Sequence, residues 1–294
     1  MNLSGETRVY GIIGDPVAHS LSPLFQSRFI EQTGLDAVYV PFHVKSGEVV
    51  RALDGLLTLG VKGFNVTVPH KQDVFDIVRA DTDAACIGAV NTVKLEGASW
   101  LATNTDWQGV HDVLVGLDVD MEQTEVLMFG AGGTARAIVH ALAHAKAAKL
   151  TICNRSENRL QELSRHVRDK YPDLNVETVA WEQCEVGDAS TKSALLINTT
   201  SIGLEGKSAF PFELSGEGMA MDVVYAADGA TAFVQAADKA GRQAMDGLAM
   251  LVAQGAASFC FWHEKQPEKL ATLRWLEARL GHPAAVLPAW DMAL

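Results

Sequence analysis

The chain is poor in cysteine, in cationic charge and in unbroken apolar runs, and each shortage excludes something. Only four cysteines occur among 294 residues (Cys86, Cys153, Cys184 and Cys260), far apart and with no CxxC pair. That spacing argues against a zinc knuckle or a disulfide framework and suits a reducing cytoplasm. Lys and Arg together number 24 against 36 Asp and Glu, a formal charge of −12. Such a deficit disfavours a phosphate polymer as ligand, because nucleic-acid affinity rests largely on cationic contacts. The longest apolar stretch, Gly247 to Trp262, is broken by Gln254 and Ser258, and it falls short of the ~20 apolar residues of a spanning helix. The N-terminal segment has no basic region followed by an apolar one, so it does not read as a secretory signal. The expectation is a cytoplasmic protein that engages neither nucleic acid nor membrane.

What is present is ordinary globular material: 48% hydrophobic and 20% charged residues, enough to bury a sizeable core. At ~150 residues per domain, the length suggests two domains. Over residues 1–107 strand-like and helix-like patterns alternate. Val9–Gly14, Val38–Phe42 and Gly63–Val68 read as strands, the last stopped by Pro69. Ser46 opens a helical pattern (Val49, Val50, Leu53, Leu56, Leu57) that Gly60 closes. Ala89 to Asp106 reads as two strands around a Glu96-Gly97 turn.

The middle of the chain repeats the α/β alternation. Glu125–Phe129 and Lys149–Cys153 read as strands, Thr134–Lys146 as a helix, and Ser156 as the cap of the next helix. Further strands are expected at Asn175–Val179, Ala194–Asn198 and Met219–Val224, the order of a doubly wound nucleotide-binding domain. Two helices, Gly247–Trp262 and Glu268–Leu280, close the chain. The fold class is therefore α/β.

Several short motifs carry chemical meaning. In GAGGTA, Gly130 and Gly132 lie between a strand and a helix, with Ala131, Gly133 and Ala135 beside them. Glycine lets the backbone approach a pyrophosphate, and the helix N-terminus offers free N–H groups to it. After the second strand of this unit stands Asn154-Arg155-Ser156, with no acid until Glu157. A guanidinium there pairs with a 2′-phosphate, whereas an NAD site usually places a carboxylate on the ribose hydroxyls. NADP is therefore the favoured cofactor and NAD the alternative. Ser20-Leu21-Ser22-Pro23 presents two hydroxyls to one anion, though taken alone it reads as a helix cap. Asn65 and Thr67 share one face by the two-residue strand period, and Lys71 opens the next helix. Taken singly, Lys71 is a surface charge and Asp106 a loop acid.

Together these signals resemble one family. HSLSP (His19–Pro23), NVTVPHK (Asn65–Lys71), GAVNT (Gly88–Thr92), NTD (Asn104–Asp106), GAGG (Gly130–Gly133), NR (Asn154–Arg155), NTTSIGL (Asn198–Leu204), DVVY (Asp222–Tyr225) and DGLAMLVAQ (Asp246–Gln254) occur in the order and spacing of the shikimate dehydrogenase family. The resemblance runs from about Tyr10 to Trp262. It implies an N-terminal α/β substrate domain completed by C-terminal helices (residues 1–107 and 246–294). A Rossmann-like doubly wound NADP-binding domain (108–245) would complete the chain, with the active site in the cleft between the two. It further implies reversible NADP-dependent oxidation of shikimate to 3-dehydroshikimate. By resemblance, Lys71 and Asp106 match the catalytic dyad, and Ser20 and Ser22 the pair that holds the substrate carboxylate. Asn65, Thr67, Asn91 and Gln254 match residues bonding the ring hydroxyls, and Tyr225 matches a tyrosine lining the site. Gly130, Ala131, Gly132, Gly133, Asn154, Arg155 and Ser156 would hold the cofactor.

The chain also departs from the family's common pattern. Trp107 follows NTD where glycine is frequent, Gln26-Ser27-Arg28-Phe29 replaces an HNxxF segment, Ala226-Ala227-Asp228 follows DVVY, and Gly255 follows Gln254. Quinate or aminoshikimate is therefore the alternative substrate, and a ligand sensor without turnover is a further alternative. Against a sensor stands the retention of both Lys71 and Asp106. His140 and His144, four apart on one helix, read as surface histidines, with no metal expected. His19 and His70 flank the proposed site, and Trp262, Trp275 and Trp290 read as packing residues. The partner expected is a small hydroxycyclohexene carboxylate, bound by a monomer or homodimer.

Overall fold

In the computed structural model, residues 3–202, 208–226 and 229–292 are described. The last two positions of the NTTSIGL motif, Gly203 and Leu204, and the pair Ala227 and Asp228 lie outside them. Compactness divides the chain into one unit of residues 1–109 and 252–272 and another of residues 110–251 and 273–294. The C-terminal segment from residue 273 onward thus groups with the second unit.

The first unit opens with β1 (Arg8–Gly14), α1 (Ser22–Thr33), β2 (Ala37–His43) and α2 (Val49–Thr58). Then follow β3 (Gly63–Val66), α3 (Lys71–Phe75), β4 (Arg79–Ala80), α4 (Thr82–Ile87), β5 (Thr92–Glu96) and β6 (Ser99–Thr103). Its sheet has the order β2-β1-β3-β5-β6-β4. The β1–β2 and β1–β3 pairs are parallel, whereas β3–β5 and β5–β6 run antiparallel. Glu96 pairs with Ser99 across the expected tight turn. Ile13, Leu53, Phe64, Val93 and Trp100 centre the core, Phe64 meeting Trp100 edge-on at 5.1 Å.

Two local readings need correction. Ser46 does not open α2; its N–H instead donates to Asp15 Oδ2 (3.1 Å), and the helix begins at Val49. The strand expected to reach Asp106 ends at Thr103, and α5 (Thr105–Gly116) takes over. Asn104 accounts for the switch: its Oδ1 accepts from the Asp106 N–H at 3.0 Å, satisfying a donor that the first helical turn leaves open.

The second unit contains β7 (Glu125–Phe129), α6 (Gly133–His144), β8 (Lys149–Cys153), α7 (Glu157–Lys170), β9 (Val176–Val179) and α8 (Gln183–Lys192). After these come β10 (Leu195–Asn198), β11 (Met219–Asp222), α9 (Ala232–Lys239) and β12 (Gln243–Met245). The order β12-β11-β10-β7-β8-β9 is wholly parallel. Two three-strand halves thus diverge from the β7–β10 boundary, the doubly wound Rossmann arrangement. Phe129 touches Phe210, Phe212 and Phe233 in its core. Three helices end the chain: α10 (Leu248–His263), α11 (Lys269–Leu280) and α12 (Pro288–Asp291).

Ser156 stands at the N-cap of α7 as expected, but its hydroxyl caps nothing; Asn154 Nδ2 donates to its carbonyl instead, at 2.8 Å. His140 is not a surface residue: it is 3% exposed, and its Nδ1 lies 2.8 Å from the Tyr171 hydroxyl. The tryptophans pack: Trp262 sits 5.3 Å from the Tyr10 ring and donates to Val93 O, and Trp290 is buried with its N–H on Asp112 O. All four cysteines are free thiols. Among the described residues no helix is long and apolar enough to cross a membrane.

Candidate active site

In the first unit, Asn65, Lys71, Asn91 and Asp106 gather at the carboxyl end of β3 and the starts of α3, β5 and α5, with Gln254 of α10 beside them, whereas Ser20 and Ser22 stand at the start of α1. Lys71 is the first residue of α3, held there by the Val68-Pro69 stop and by its carbonyl, which accepts from Val90 N–H (3.3 Å). Its Nζ lies 2.6 Å from Asp106 Oδ2. Neither side chain is fully exposed (23% and 10%), so water screens the pair less than it would at the surface. The second carboxylate oxygen, Oδ1, accepts from Asn91 Nδ2 at 2.7 Å. Asp106 therefore has one oxygen on the ammonium and the other on a carboxamide.

Asn91 is itself pinned. Its Oδ1 accepts from Thr105 N–H (2.7 Å) and from the Thr92 hydroxyl (3.0 Å). Its Nδ2 also points to Gln254 Oε1 at 3.4 Å. Gln254 reaches this point because α10 passes so close to α5 that a Cβ on Gly109 would stand 2.8 Å from Gln254 N. Only hydrogen fits there.

Asn65 is 6% exposed, and both ends of its carboxamide are engaged. The Tyr39 hydroxyl donates to Oδ1 at 2.7 Å, and Nδ2 faces Asn91 O, Thr92 Oγ1 and Ser258 Oγ at 3.0–3.1 Å. Burial raises the Tyr39 phenol well above its ordinary pKa, opposed by a hydrogen bond with Ser22. Ser22 is buried and Ser20 half-buried, Ser20 Oγ accepting from Ser22 N–H at 3.2 Å. Thr67 is half-buried just beyond β3. His70 is fully buried, its Nε2 2.7 Å from Val44 O, and so anchors the residue before Lys71; His19 is exposed.

Tyr39, Thr92, Thr105 and Ser258 join the site without having been singled out from sequence. Thr92 and Thr105 lie inside the GAVNT and NTD motifs, and Ser258 follows Gln254 by one helical turn, the i+4 spacing that shares a face. That spacing is the available signal for Ser258; Tyr39 offers none.

The second unit presents a different site. Gly130 leaves β7 with φ +109°, and a Cβ there would stand 2.3 Å from Thr199 Oγ1 just past β10. Gly130 thus lies at the β7–β10 boundary, where the strand order reverses and open α/β sheets bind ligands. Gly132 and Gly133 are exposed with open space around them, and α6 starts at Gly133 without a side-chain cap. Ala131 is half-buried between Gly130 and Gly132. At the end of β8, Asn154 is half-buried, and Arg155 and Ser156 are exposed. Arg155 makes no ion pair among the described residues, whereas Glu157 is engaged by Gln161 Nε2 at 2.7 Å. An uncapped glycine-lined helix start with a free guanidinium nearby fits a 2′-phosphorylated dinucleotide. Tyr225 follows β11 in this unit and is half-buried.

A Rossmann unit joined to an α/β unit bearing a Lys–Asp pair defines a nicotinamide-dependent oxidoreductase of alcohols. Residues 12–93 match the profile of the shikimate dehydrogenase substrate binding domain, and residues 114–202 that of shikimate / quinate 5-dehydrogenase. A shikimate dehydrogenase (NADP(+)) of Geobacter metallireducens is 39% identical over 273 residues, covering 91% of this chain and 95% of that protein. The structure of shikimate 5-dehydrogenase from Thermus thermophilus with NADP(H) and shikimate is 29% identical, with TM-score 0.81 over 93% of this chain and 99% of that one. A 5-ketofructose reductase of a Gluconobacter strain is 30% identical, with TM-score 0.82 over 94% of this chain and 100% of that one. The chain belongs to the shikimate dehydrogenase family.

Proposed function

We propose that this chain catalyses the reversible NADP-dependent oxidation of shikimate to 3-dehydroshikimate. The observation that carries the reading is the Lys71–Asp106 pair, 2.6 Å apart and fixed by Asn91 beside Gln254. Oxidising a ring alcohol removes a proton from oxygen and a hydride from carbon. NADP, when bound, supplies the hydride acceptor. The protein must then take the hydroxyl proton, and a positioned acid–base pair does so. The Asp106 carboxylate, the unprotonated member of the pair, takes that proton at Oδ2, while the Lys71 ammonium stabilises negative charge as it develops on the substrate oxygen.

The remaining residues orient the reactants. Ser20 and Ser22 hold the substrate carboxylate, and Thr67, Asn91 and Gln254 bond ring hydroxyls. Asn65 joins them in bonding the ring hydroxyls, and Tyr225 lines the site. The substrate domain is assigned to residues 1–107 and 246–294 and the nucleotide domain to residues 108–245, although by compactness residues 273–294 group with the latter. Gly130, Ala131, Gly132 and Gly133 hold the pyrophosphate, and Asn154, Arg155 and Ser156 the 2′-phosphate. Four free thiols support a reducing cytoplasm as its place of work, and a monomer or homodimer suffices for the chemistry.

The test is nicotinamide reduction, followed by absorbance, with shikimate, quinate and aminoshikimate and with NADP or NAD. The expected result is the highest kcat/KM for shikimate with NADP. A folded protein that reduces neither cofactor with shikimate overturns the reading. The 5-ketofructose reductase shows that this fold serves another carbonyl compound, so a higher kcat/KM with quinate or a ketose would reassign the substrate.

A further inference from the structure

Three hydroxyls meet in a fully buried triangle in the first unit. Thr92 Oγ1 lies 2.8 Å from Ser258 Oγ and 3.1 Å from Thr105 Oγ1, and Thr105 lies 3.0 Å from Ser258. All three residues are 0% exposed. Buried polar atoms are costly unless bonded, so the directions of these bonds are constrained. Asn91 Oδ1 can only accept, and Thr92 has one proton, which it gives to Asn91 Oδ1 at 3.0 Å. The 2.8 Å contact between Thr92 and Ser258 then requires Ser258 as the donor. Ser258 shares that proton with the Gln254 carbonyl one turn back, 3.0 Å away and the longer of the two contacts. Asn65 Nδ2 donates to Ser258 Oγ from the other side at 3.0 Å. A directed chain results: Asn65 to Ser258, Ser258 to Thr92, Thr92 to Asn91 Oδ1, and Asn91 Nδ2 to Asp106 Oδ1.

We propose that Ser258 and Thr92 are positioning residues: their hydroxyls fix the Asn91 carboxamide with nitrogen toward Asp106, and so hold Asp106 in place for proton transfer with Lys71. The alternative amide orientation would set Asn91 Oδ1 against the Asp106 carboxylate and Nδ2 against the Thr105 N–H. Both clashes are electrostatic, and the hydroxyls, which can turn, add to the bias because the Asn65 Nδ2 donor at the head of the chain sets their direction. Ser258 sits one turn beyond Gln254 on α10, so it also sets the register in which Gln254 meets Asn91. The catalytic consequence rests on the function proposed above; the amide orientation does not.

The experiment therefore has two arms. In the first, shikimate oxidation with NADP is compared for wild type, Thr92→Val, Thr92→Ser and Ser258→Ala. Thr92→Val and Ser258→Ala should lose roughly tenfold in kcat, with KM changing less than about threefold. Thr92→Ser, which restores the donor, should recover most of the loss. In the second, the Asn91 side-chain amide protons are followed by NMR in protein labelled at asparagine, without substrate. They should exchange slowly as one resolved pair in wild type and roughly tenfold faster in Thr92→Val and Ser258→Ala. A folded Thr92→Val protein with wild-type kcat and wild-type amide exchange overturns the proposal. So does Thr92→Ser behaving like Thr92→Val, since the methyl and not the hydroxyl would then matter. If wild type fails to oxidise shikimate, the amide arm still decides the assignment.

Discussion

The two units bury polar side chains in different company. In the first, Asn65, Asn91, Thr92, Thr105 and Ser258 bond one another, and the network ends on the Asp106 carboxylate facing Lys71. In the second, the buried Asp222 and Arg242 stand apart and tie the ends of elements together. Asp222 accepts from Asn198 at the end of β10, from Val224 N–H and from Thr231, whose hydroxyl also caps α9. Arg242 donates to the carbonyls of Ser190 and Ser193 at the end of α8, and to Ser215. A mixed sheet whose strand ends are joined by side-chain bonds can carry chemistry on those bonds. In the parallel sheet of the second unit, Asp222 and Arg242 satisfy strand and helix ends separately. The comparison predicts that polar losses in the first unit reduce turnover, and those in the second reduce stability.

The largest effect should come from Lys71→Ala, which should lower kcat by roughly 10²–10⁴ with a smaller change in KM. Its melting temperature should stay within about 3 °C of wild type. A variant that loses stability and keeps kcat would break the comparison at its strongest point.

Next comes a pH effect in the second unit. Burial pushes the Asp222 carboxyl up to about 7 from 3.8, against the three hydrogen bonds that lower it. A folded pKa above the unfolded one means that this group's stability contribution is complete below about pH 4 and is lost as pH rises through about 7. At ~1.4 kcal/mol per unit, the loss approaches roughly 4 kcal/mol. Urea denaturation should therefore show lower stability at about pH 8 than at about pH 5, and Asp222→Asn should flatten that slope. An unchanged slope in the variant would assign it to other groups.

Arg242→Ala should cost about 2–3 kcal/mol, because buried carbonyls at the end of α8 lose their donor. Relative to the remaining folded fraction, kcat should be unaffected. Arg155→Ala tests an exposed residue of the same unit and should raise the KM for NADP roughly ten- to 150-fold, leaving NAD nearly unchanged. Equal weakening of both cofactors would show that Arg155 serves the fold.

Much of this organisation is readable from sequence, for physical reasons. Strands buried on both faces are continuous apolar runs, so Glu125–Phe129 and Lys149–Cys153 stand where the pattern puts them. The Gly-rich turn announces itself because the backbone path at Gly130 excludes every side chain. Short elements are less visible: β4 has two residues and β12 three, too few for a period to register. The start of α5 is hidden because Asn104, which continues the strand pattern, acts as a cap. Among the site residues, Lys71 and Asp106 are legible only through motif order, since 35 positions separate them and no local rule joins them. The Ser258–Thr92 contact spans 166 positions and leaves no trace in the local pattern.

Gly109 has a further implication for redesign. Because α5 and α10 touch there backbone to backbone, they have little freedom to slide past one another, and Asp106 and Gln254 ride on the two. With the roles proposed above, the proton-handling group and a substrate-recognising group share one mechanical linkage. A change of substrate made by shifting α10 would drag the acid with it, so altered specificity and reduced rate should arrive together. Substitutions at Thr67, just beyond β3 and outside both that contact and the Asn65–Ser258 chain, offer a route to new substrates that leaves Asp106 in place.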